Sequence, residues 1–500
     1  MQPHLVSAAS ARFVFASAIA YAMGGAPPPV AAQVVTPKTV PVQQGQQFDI
    51  LPSSTAGMAG VSLALDDTVA DALVNPAKAT RVRTGRLFTA PFCHKISDRR
   101  GGGCAFPIGG MASSGRWSAA GVFALQQLDR SGPMADAPAI SERTANNRYL
   151  GLSLARQMGR GVSVGASGHF AGLGAVDGVD LLYAGSDRIV QSGSSADVRL
   201  GILKEFSPAR SLELLVVHNQ YRATHDVHYT DVRFIQGVRQ VLGERTQRND
   251  DRTYIWGAHV AYARPLGTEG WRLGWVATMS KLTHPKIPEY DLRGFRPIPR
   301  DPGHTLGYHA GVGVSRTVAR TTLGLDLLLE PMSTETWADA ARDTAVAGGG
   351  MIPAGGKTIE NSFRFSNTIM RAGFAHEWPE RANGTALGVQ FGLGLYAINY
   401  RLAQDNNVQR TFRTQQEHWM EWTPTFGVSL RGKMAEFRYN LTKTCVREVC
   451  IPIPLPFGQG DKVTVQEYVP PSVVAAPSEP LTFDGGTART HKFSLHFLIR

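Results

Sequence analysis

The sequence predicts an all-β fold: a transmembrane antiparallel up-and-down β-barrel that carries an N-terminal plug segment. Three observations predict it. Apolar residues alternate with small or polar residues along many strand-length segments, which gives each segment one apolar face. The connections between these segments alternate between short and long, as they do in outer-membrane barrels. The chain also begins with residues typical of an exported protein. A water-soluble β-sandwich would share the alternation of residues, but it has no reason to alternate its connections.

An export signal is predicted over residues 1–32. Arg12 precedes an apolar run at residues 13–23, and the small residues 30–32 form a cleavage position before Gln33. This order is typical of a secretory signal peptide, and a buried N-terminal helix is the alternative. No later run approaches the roughly 18 apolar residues that a membrane helix needs, so we expect strands to span the membrane.

Residues 33–115 are predicted to form an N-terminal segment that lies in the periplasm or inside the barrel. Its first part, residues 33–52, is polar and rich in Pro and Gln, which is typical of a tether. Residues 53–82 are rich in Ala and Gly and include a short stretch compatible with a helix at residues 68–73. Residues 83–91 can alternatively form a strand.

The barrel itself is predicted over residues 116–500. In the segment 321–330, Leu323, Leu325 and Leu329 fall on one face of a strand. Asp326 and Glu330 fall on the other face. We therefore expect the apolar face of each strand to contact lipid and the polar face to line the lumen.

About 14 strands are predicted, because 14 strand-like segments can be counted over residues 116–500. This even number closes a barrel with both chain ends in the periplasm. Residues 225–251 and 401–417 are among the long connections, which we place outside the cell. If residues 83–91 form a strand and a partner strand follows it, the number becomes about 16.

The four cysteines form two close pairs, Cys93 with Cys104 and Cys445 with Cys450. Neither spacing is a CxxC motif, so we expect neither a zinc site nor a redox motif. In the oxidising periplasm, cysteines this close in sequence are expected to form two disulfides that staple loops.

The most specific motif lies in residues 53–80. An Ala- and Gly-rich stretch leads to an acidic pair and then to Asn-Pro-Ala. The residues are Gly57, Gly60, Asp66, Asp67, Asn75, Pro76 and Ala77. In this order, ahead of a barrel, the segment resembles the opening of FadL-like outer-membrane transport proteins and, more loosely, of their PorV-type relatives.

The resemblance implies a plug that gates the passage of a hydrophobic ligand, which then leaves sideways through the barrel wall into lipid. Asp66, Asp67, Asn75, Pro76 and Ala77 are the residues expected to carry this gating role. The residue types also have a local explanation, because Asn caps turns and Pro suits the first position of a helix. A structural cap without a gating role is the alternative.

Two other groups of polar residues suggest chemistry. His225 and His228 point to opposite faces of a strand, so they share a metal ion only if the chain turns between them. Ser167 and His169 share the lumen face of a predicted strand, but no nucleophile motif accompanies them. We therefore expect polar rim and lumen residues here, with no catalytic residue, no metal site and no cofactor.

The net charge of +11 does not indicate nucleic-acid binding. The arginines are scattered through strands and turns, without a dense basic run or an adjacent stacking motif. We expect them to pair with acidic groups or with lipid phosphates.

The expected function is passive uptake of hydrophobic small molecules, such as long-chain fatty acids, through an outer-membrane channel. The expected partners are outer-membrane lipid and the hydrophobic ligand. A barrel of the PorV type that anchors secreted or surface proteins is the main alternative. An outer-membrane lipid hydrolase is the third and least favoured interpretation.

Overall fold

A computed structural model describes most of the chain. The described residues are 46–96, 102–129, 144–176, 188–235, 238–267, 269–284, 289–291, 297–298, 303–446 and 487–499. The predicted signal peptide and most of the predicted tether lie outside these ranges.

Antiparallel strands form one large sheet, in which most strands pair with the next one along the chain. The strands are β1 (Gly85–Thr89), β2 (Phe92–Ile96), β3 (Gly102–Ser114), β4 (Trp117–Asp129), β5 (Thr144–Gly159), β6 (Val162–Leu173), β7 (Arg188–Ser207), β8 (Arg210–Ile235), β9 (Val238–Leu266), β10 (Trp271–His284), β11 (Glu289–Asp291), β12 (Pro297–Ile298), β13 (Gly303–Val318), β14 (Thr321–Asp339), β15 (Thr344–Ala345), β16 (Met351–Ile352), β17 (Lys357–Glu377), β18 (Ala386–Asn406), β19 (Thr411–Arg431), β20 (Ala435–Val446) and β21 (Thr487–Ile499). β10 pairs with β13, and β14 pairs with β17. Only β15 and β16 stand apart, as a two-stranded ladder in a connection.

The sheet closes into a barrel because β21 pairs with β1 and β2, which lie end to end and both pair with β3. β1 and β2 together occupy one strand position of the barrel, and β11 and β12 belong to the connection between β10 and β13. The barrel therefore has 16 strands. The predicted number of about 14 is wrong, and the alternative of about 16 is the observed one. The additional strands begin at Gly85, within the range assigned to the N-terminal segment. The four glycines of β3 hide its alternation, since they supply no apolar side chain.

The predicted orientation of the strand faces is confirmed. Leu323, Leu325 and Leu329 are exposed on the outside, whereas Asp326 and Glu330 are buried inside. Large apolar side chains are exposed on the outer face of nearly every strand, and they form a band typical of a barrel that spans a membrane.

Two predicted connections are partly strand. β8 and β9 stay paired through residues 225–251 up to Ile235 and Val238, and β18 and β19 stay paired up to Asn406 and Thr411. The sequence of the first hairpin looks polar because one face carries charged residues, but Val227 and Tyr229 remain buried on the other face.

The described N-terminal residues lie inside the barrel. They form three 3-10 turns, Gln46–Phe48, Ala56–Met58 and Pro76–Arg81, and the helix α1 (Thr68–Val74). Residues 76–81 pack against β4 to β7, whereas residues 56–58 pack against β17 to β20 across the lumen. We call residues 46–84 the plug segment. No helix within the described ranges is long and apolar enough to cross a membrane.

Candidate functional site

The acidic pair of the plug segment has two different roles. Asp67 caps α1, because its carboxylate accepts a hydrogen bond from the Ala70 N–H at 3.4 Å. Its other oxygen accepts from the Ser54 N–H at 2.6 Å, which ties the helix start to the preceding loop. Asp66 instead contacts Arg272 of the barrel wall. Asp67 is therefore a structural residue of the plug segment, whereas Asp66 joins it to the barrel.

The Asn-Pro-Ala turn has the predicted capping geometry. The Asn75 side chain accepts a hydrogen bond from the Ala77 N–H at 3.1 Å, and Pro76 takes the first position of the 3-10 turn. Two wall glycines allow this turn to touch the barrel. A Cβ atom at Gly201 would lie 2.0 Å from Asn75 Oδ1, and one at Gly165 would lie 2.6 Å from the Ala77 nitrogen.

Lys78 lies between two carboxylates, one in the plug segment and one in the wall. Its Nζ is 2.8 Å from Asp71 Oδ2 and 3.1 Å from Glu213 Oε1. Asn75 Nδ2 donates to the second oxygen of Glu213 at 3.1 Å. We call these four residues the Lys78 cluster. Because Glu213 belongs to β8, the cluster fixes the plug segment to the wall.

The charges within the Lys78 cluster are strongly coupled. Burial lowers the pKa of Lys78, but the negative charges of Asp71 and Glu213 outweigh this effect and raise the pKa overall. Burial raises the pKa of Asp71 to about 6, and repulsion from Glu213 opposes the lowering effect of Lys78. The cluster therefore combines one lasting positive charge with a carboxyl group that titrates near neutral pH.

A second ionic group lies nearer the tight turns. Asp66 accepts from Arg81 at 3.0 Å and from Arg272 at 2.7 Å, and Arg81 also donates to Glu205 at 2.9 Å. We call this group the Asp66 cluster. Burial raises the pKa of Asp66, but the hydrogen bond and charge of Arg272, with the charge of Arg81, lower it overall. Asp66 therefore stays ionised at neutral pH and bridges the plug segment to β10.

Inward side chains of β14 and β17 bind the backbone of the plug segment. Asp326 Oδ2 accepts hydrogen bonds from the N–H groups of Ser62 at 2.9 Å and Leu63 at 3.4 Å. Arg371 donates to the Gly60 carbonyl at 3.1 Å. These contacts supply partners to a buried loop that has few backbone hydrogen bonds of its own.

The half of the lumen nearer the long connections has a different lining. Inward side chains of β2 and of β17 to β21 form one buried cluster, which we call the aromatic cluster. Its members are Ile96, Phe365, Tyr396, Ile398, Tyr400, Leu402, Trp419, Val446 and Ala488. Phe365 and Tyr400 pack with ring centroids 4.8 Å apart.

Two polar atoms of the aromatic cluster have no hydrogen-bond partner among the described residues. They are the Tyr400 hydroxyl and the Trp419 ring nitrogen, on side chains of residues 1% and 3% exposed. A buried donor without a partner is unfavourable, so this part of the lumen is suited to a ligand that has an apolar body and a hydrogen-bond acceptor.

The regular strand pairing of the barrel wall is interrupted beside this cluster. The ladder between the first strand position and β3 breaks at Ala90 and Pro91, opposite Phe106 and Pro107. Hydrogen bonds still cross the interruption, since the Ala90 N–H donates to the Pro107 carbonyl at 3.1 Å and the Phe493 N–H donates to the Pro91 carbonyl at 2.8 Å. Neither proline has an N–H to donate, so the wall is held by fewer hydrogen bonds here. A concavity of about 670 Å³ opens on the outside at this point, lined in part by Pro91, Phe106 and Phe493.

The cysteines staple the strands next to this break. Cys93 and Cys104 form a disulfide between directly paired residues of β2 and β3. Cys445 is also disulfide-bonded, and Cys450 lies outside the described residues. The first pair joins two barrel strands rather than a free loop.

The remaining sequence candidates are Ser167, His169 and the 225–228 segment. Ser167 and His169 face inward. The Ser167 hydroxyl and the His169 Nε2 atom have no hydrogen-bond partner among the described residues. Asp197, opposite His169, is held by two hydrogen bonds from Arg199. His225 points inward and is buried, in line with the predicted opposite faces of the 225–228 segment. No group of three metal-binding side chains was found in the described ranges.

Sequence reasoning missed the wall partners of the plug segment, namely Glu205, Glu213, Arg272 and Arg371. A weak signal for Glu213 exists, since it is a lone acid between Leu212 and Leu214 and must face inward if they face lipid. Lys78 directly follows the Asn-Pro-Ala motif, and no sequence feature identified its partner.

No protein-family model and no curated protein matches this sequence. Solved structures with a similar fold include a Pseudomonas aeruginosa FadL homologue, with 13% identity, a TM-score of 0.44, and coverage of 89% of this chain and 97% of the other. The Ralstonia pickettii toluene transporter TbuX has 10% identity, a TM-score of 0.41, and coverage of 91% and 100%. A bacterial polysaccharide outer membrane secretin has 7% identity, a TM-score of 0.38, and coverage of 83% and 99%. Likeness at this level is shared by barrels of different function, so it assigns neither a family nor an activity.

Proposed function

We propose that this protein is an outer-membrane channel for passive uptake of hydrophobic small molecules such as long-chain fatty acids. The carrying observation is that one lumen contains both a plug segment held by polar contacts and a buried aromatic cluster. A ligand with an apolar body would gain free energy in the aromatic cluster, because it leaves water there. The resemblance of residues 53–80 to FadL-like proteins supports the same function.

The proposed route has three steps. The ligand first enters the loop-side half of the lumen and packs against the aromatic cluster, where Tyr400 and Trp419 donate hydrogen bonds to its polar end. Its binding then favours a plug segment displaced from the Lys78 and Asp66 clusters. The ligand finally leaves sideways at Pro91 and Pro107, where two residues of the wall have no N–H to donate. Asp66, Asp67, Asn75, Pro76 and Ala77 act as part of this gate.

Uptake of radiolabelled oleate by whole cells tests this function. The host strain should lack its own fatty-acid uptake protein, and the barrel should be quantified in its outer membrane. We expect faster oleate uptake than in cells with an empty vector. Deletion of residues 53–80 should further change oleate flux and admit a hydrophilic antibiotic, since the lumen loses its plug. Assembly of the deletion variant is checked by heat-modifiable migration in gels.

Two results would contradict the proposal. Oleate uptake equal to that of vector cells would remove the transport function, and a copurifying stoichiometric protein partner would then favour the anchoring alternative. Unchanged flux in an assembled deletion variant would leave transport in place but remove the gating role of the plug segment.

A further inference from the structure

The outer face of the barrel carries a row of arginines that the proposed transport route does not use. Arg148, Gly172, Ser194 and Arg222 are successive partners across β5, β6, β7 and β8, and Arg252 of β9 follows Arg222. All five residues are exposed on the outside. Arg148 and Arg222 therefore flank the two small residues, and Arg252 continues the same line across the wall.

The two small residues make a groove between the arginines. Gly172 and Ser194 lie on the floor, and the groove of about 450 Å³ is lined by Arg148 on one side and Arg222 on the other. The strands β5 and β8 are three spacings apart, about 14 Å. Two long arginine side chains can therefore approach one group from opposite sides above the floor.

The adjacent row of the same groove is apolar. This row lies closer to the tight turns than the arginine row. Its large side chains are Phe123, Leu150 and Phe170, and each is between 41% and 51% exposed. Ala196 continues the floor between them and β8. One end of the groove is thus cationic, and the part that runs toward the membrane band is apolar.

The arginines have no carboxylate partner among the described residues. Arg222 lies directly opposite Arg252, and like charges in this position repel each other. Asp226 is held by two hydrogen bonds from Arg248, at 2.7 and 2.8 Å. Asp250 accepts a hydrogen bond from Thr224 at 2.6 Å. An anion in the groove would relieve this repulsion.

We propose that this groove, which we call the arginine groove, binds a phosphate-bearing lipid of the surrounding membrane. The phosphate group accepts charge-assisted hydrogen bonds from Arg148 and Arg222, with Arg252 adding its charge. An acyl chain lies on Gly172, Ser194 and Ala196, against Phe123 and Phe170. Lipid is the source of the anion because the cationic end opens directly onto the apolar band, where a free anion gains nothing from the apolar part.

Lipid titration followed by native mass spectrometry tests the arginine groove. The purified barrel in nonionic detergent is titrated with dioleoyl phosphatidic acid and, separately, with dioleoylglycerol, which has the same chains without the phosphate. We expect one phosphatidic acid to bind tightly and dioleoylglycerol to bind more weakly. The Arg148→Gln/Arg222→Gln variant should bind phosphatidic acid about tenfold more weakly, since two charge-assisted hydrogen bonds are lost.

The same two strands offer a matched control. Arg156 and Arg210 are exposed at the tight-turn ends of β5 and β8, so Arg156→Gln/Arg210→Gln removes the same charge from the same strands. This variant should bind phosphatidic acid like the unchanged protein. Equal weakening in both variants, or equal binding of the two lipids, would overturn the proposal. Displacement of the lipid by inorganic phosphate at equal concentration would also overturn it, because it would assign the site to a free anion.

Discussion

The two halves of the lumen are lined by the same barrel but by different chemistry. In the half near the tight turns, Lys78, Glu213 and Asp326 hold the plug segment with ion pairs and hydrogen bonds. In the half near the long connections, Tyr400 and Trp419 belong to a buried apolar cluster, and each has a polar atom without a hydrogen-bond partner among the described residues. Polar contacts are directional and fix one position of the plug segment, whereas apolar contacts accept partners of many shapes. In the proposed function, the first half holds the gate and the second half receives the ligand.

The largest effect is expected when the wall carboxylate of the Lys78 cluster is removed, because this tests whether ion pairs hold the plug segment. The substitution Glu213→Leu should weaken docking of the plug segment by about 3 kcal/mol, because Lys78 loses one of its two buried partners. Trypsin cleavage after Lys78 or Arg81 should then be about 100 times faster, since cleavage follows the undocked population.

Glu213→Gln is the control for this substitution, since it keeps a hydrogen-bond acceptor for Asn75 and should accelerate cleavage less. A rate of cleavage in Glu213→Leu equal to that of the unchanged protein would show that the ion pairs do not hold the plug segment.

A change of pH tests the same cluster with a smaller effect. The pKa of Asp71 is raised to about 6 in the folded protein, above its ordinary value of 3.8. Its protonated form is therefore favoured by docking, so its contribution to stability is complete below pH 4 and is lost as pH rises through about 6. Between pH 5 and 7.5 we expect a loss of order 1 kcal/mol, because the side chain is partly exposed.

Thermal unfolding followed by circular dichroism, in the unchanged protein and in Asp71→Asn, measures this contribution. The unfolding temperature of the unchanged protein should fall relative to that of the variant as pH rises over this range. The opposite pKa shift of Asp66 does not interfere, because its contribution is lost only below about pH 4. Parallel pH profiles for the two proteins would contradict the role assigned to Asp71.

The smallest effect on stability is expected in the other half of the lumen, where the aromatic cluster lies. Tyr400→Phe removes a hydroxyl that has no partner among the described residues, so stability should stay within about 1 kcal/mol of the unchanged protein. Binding of oleate should weaken, because its carboxylate loses a donor. Phe365→Leu is a control that keeps the hydroxyl and changes only packing. A large loss of stability in Tyr400→Phe would mean that the hydroxyl supports the fold rather than a ligand.

Features that depend on near neighbours could be predicted from the sequence. Alternation along each strand fixed which side chains face outward, as Leu323 and Asp326 show. The turn chemistry of Asn75 and Pro76 and the close pairing of Cys93 with Cys104 were also predictable. In each case the groups that interact are a few residues apart, or their positions follow from strand geometry alone.

Features that depend on where distant strands meet could not be predicted from the sequence. The 16-strand closure required β21 to pair with β1 and β2, and the glycine-rich β3 gave no clear alternation. Likewise, Lys78 meets Glu213 across 135 positions of chain, and Asp326 meets Ser62 across 264. Such contacts depend on how many strands complete the circle and how they are registered, and a local sequence pattern carries no information about either.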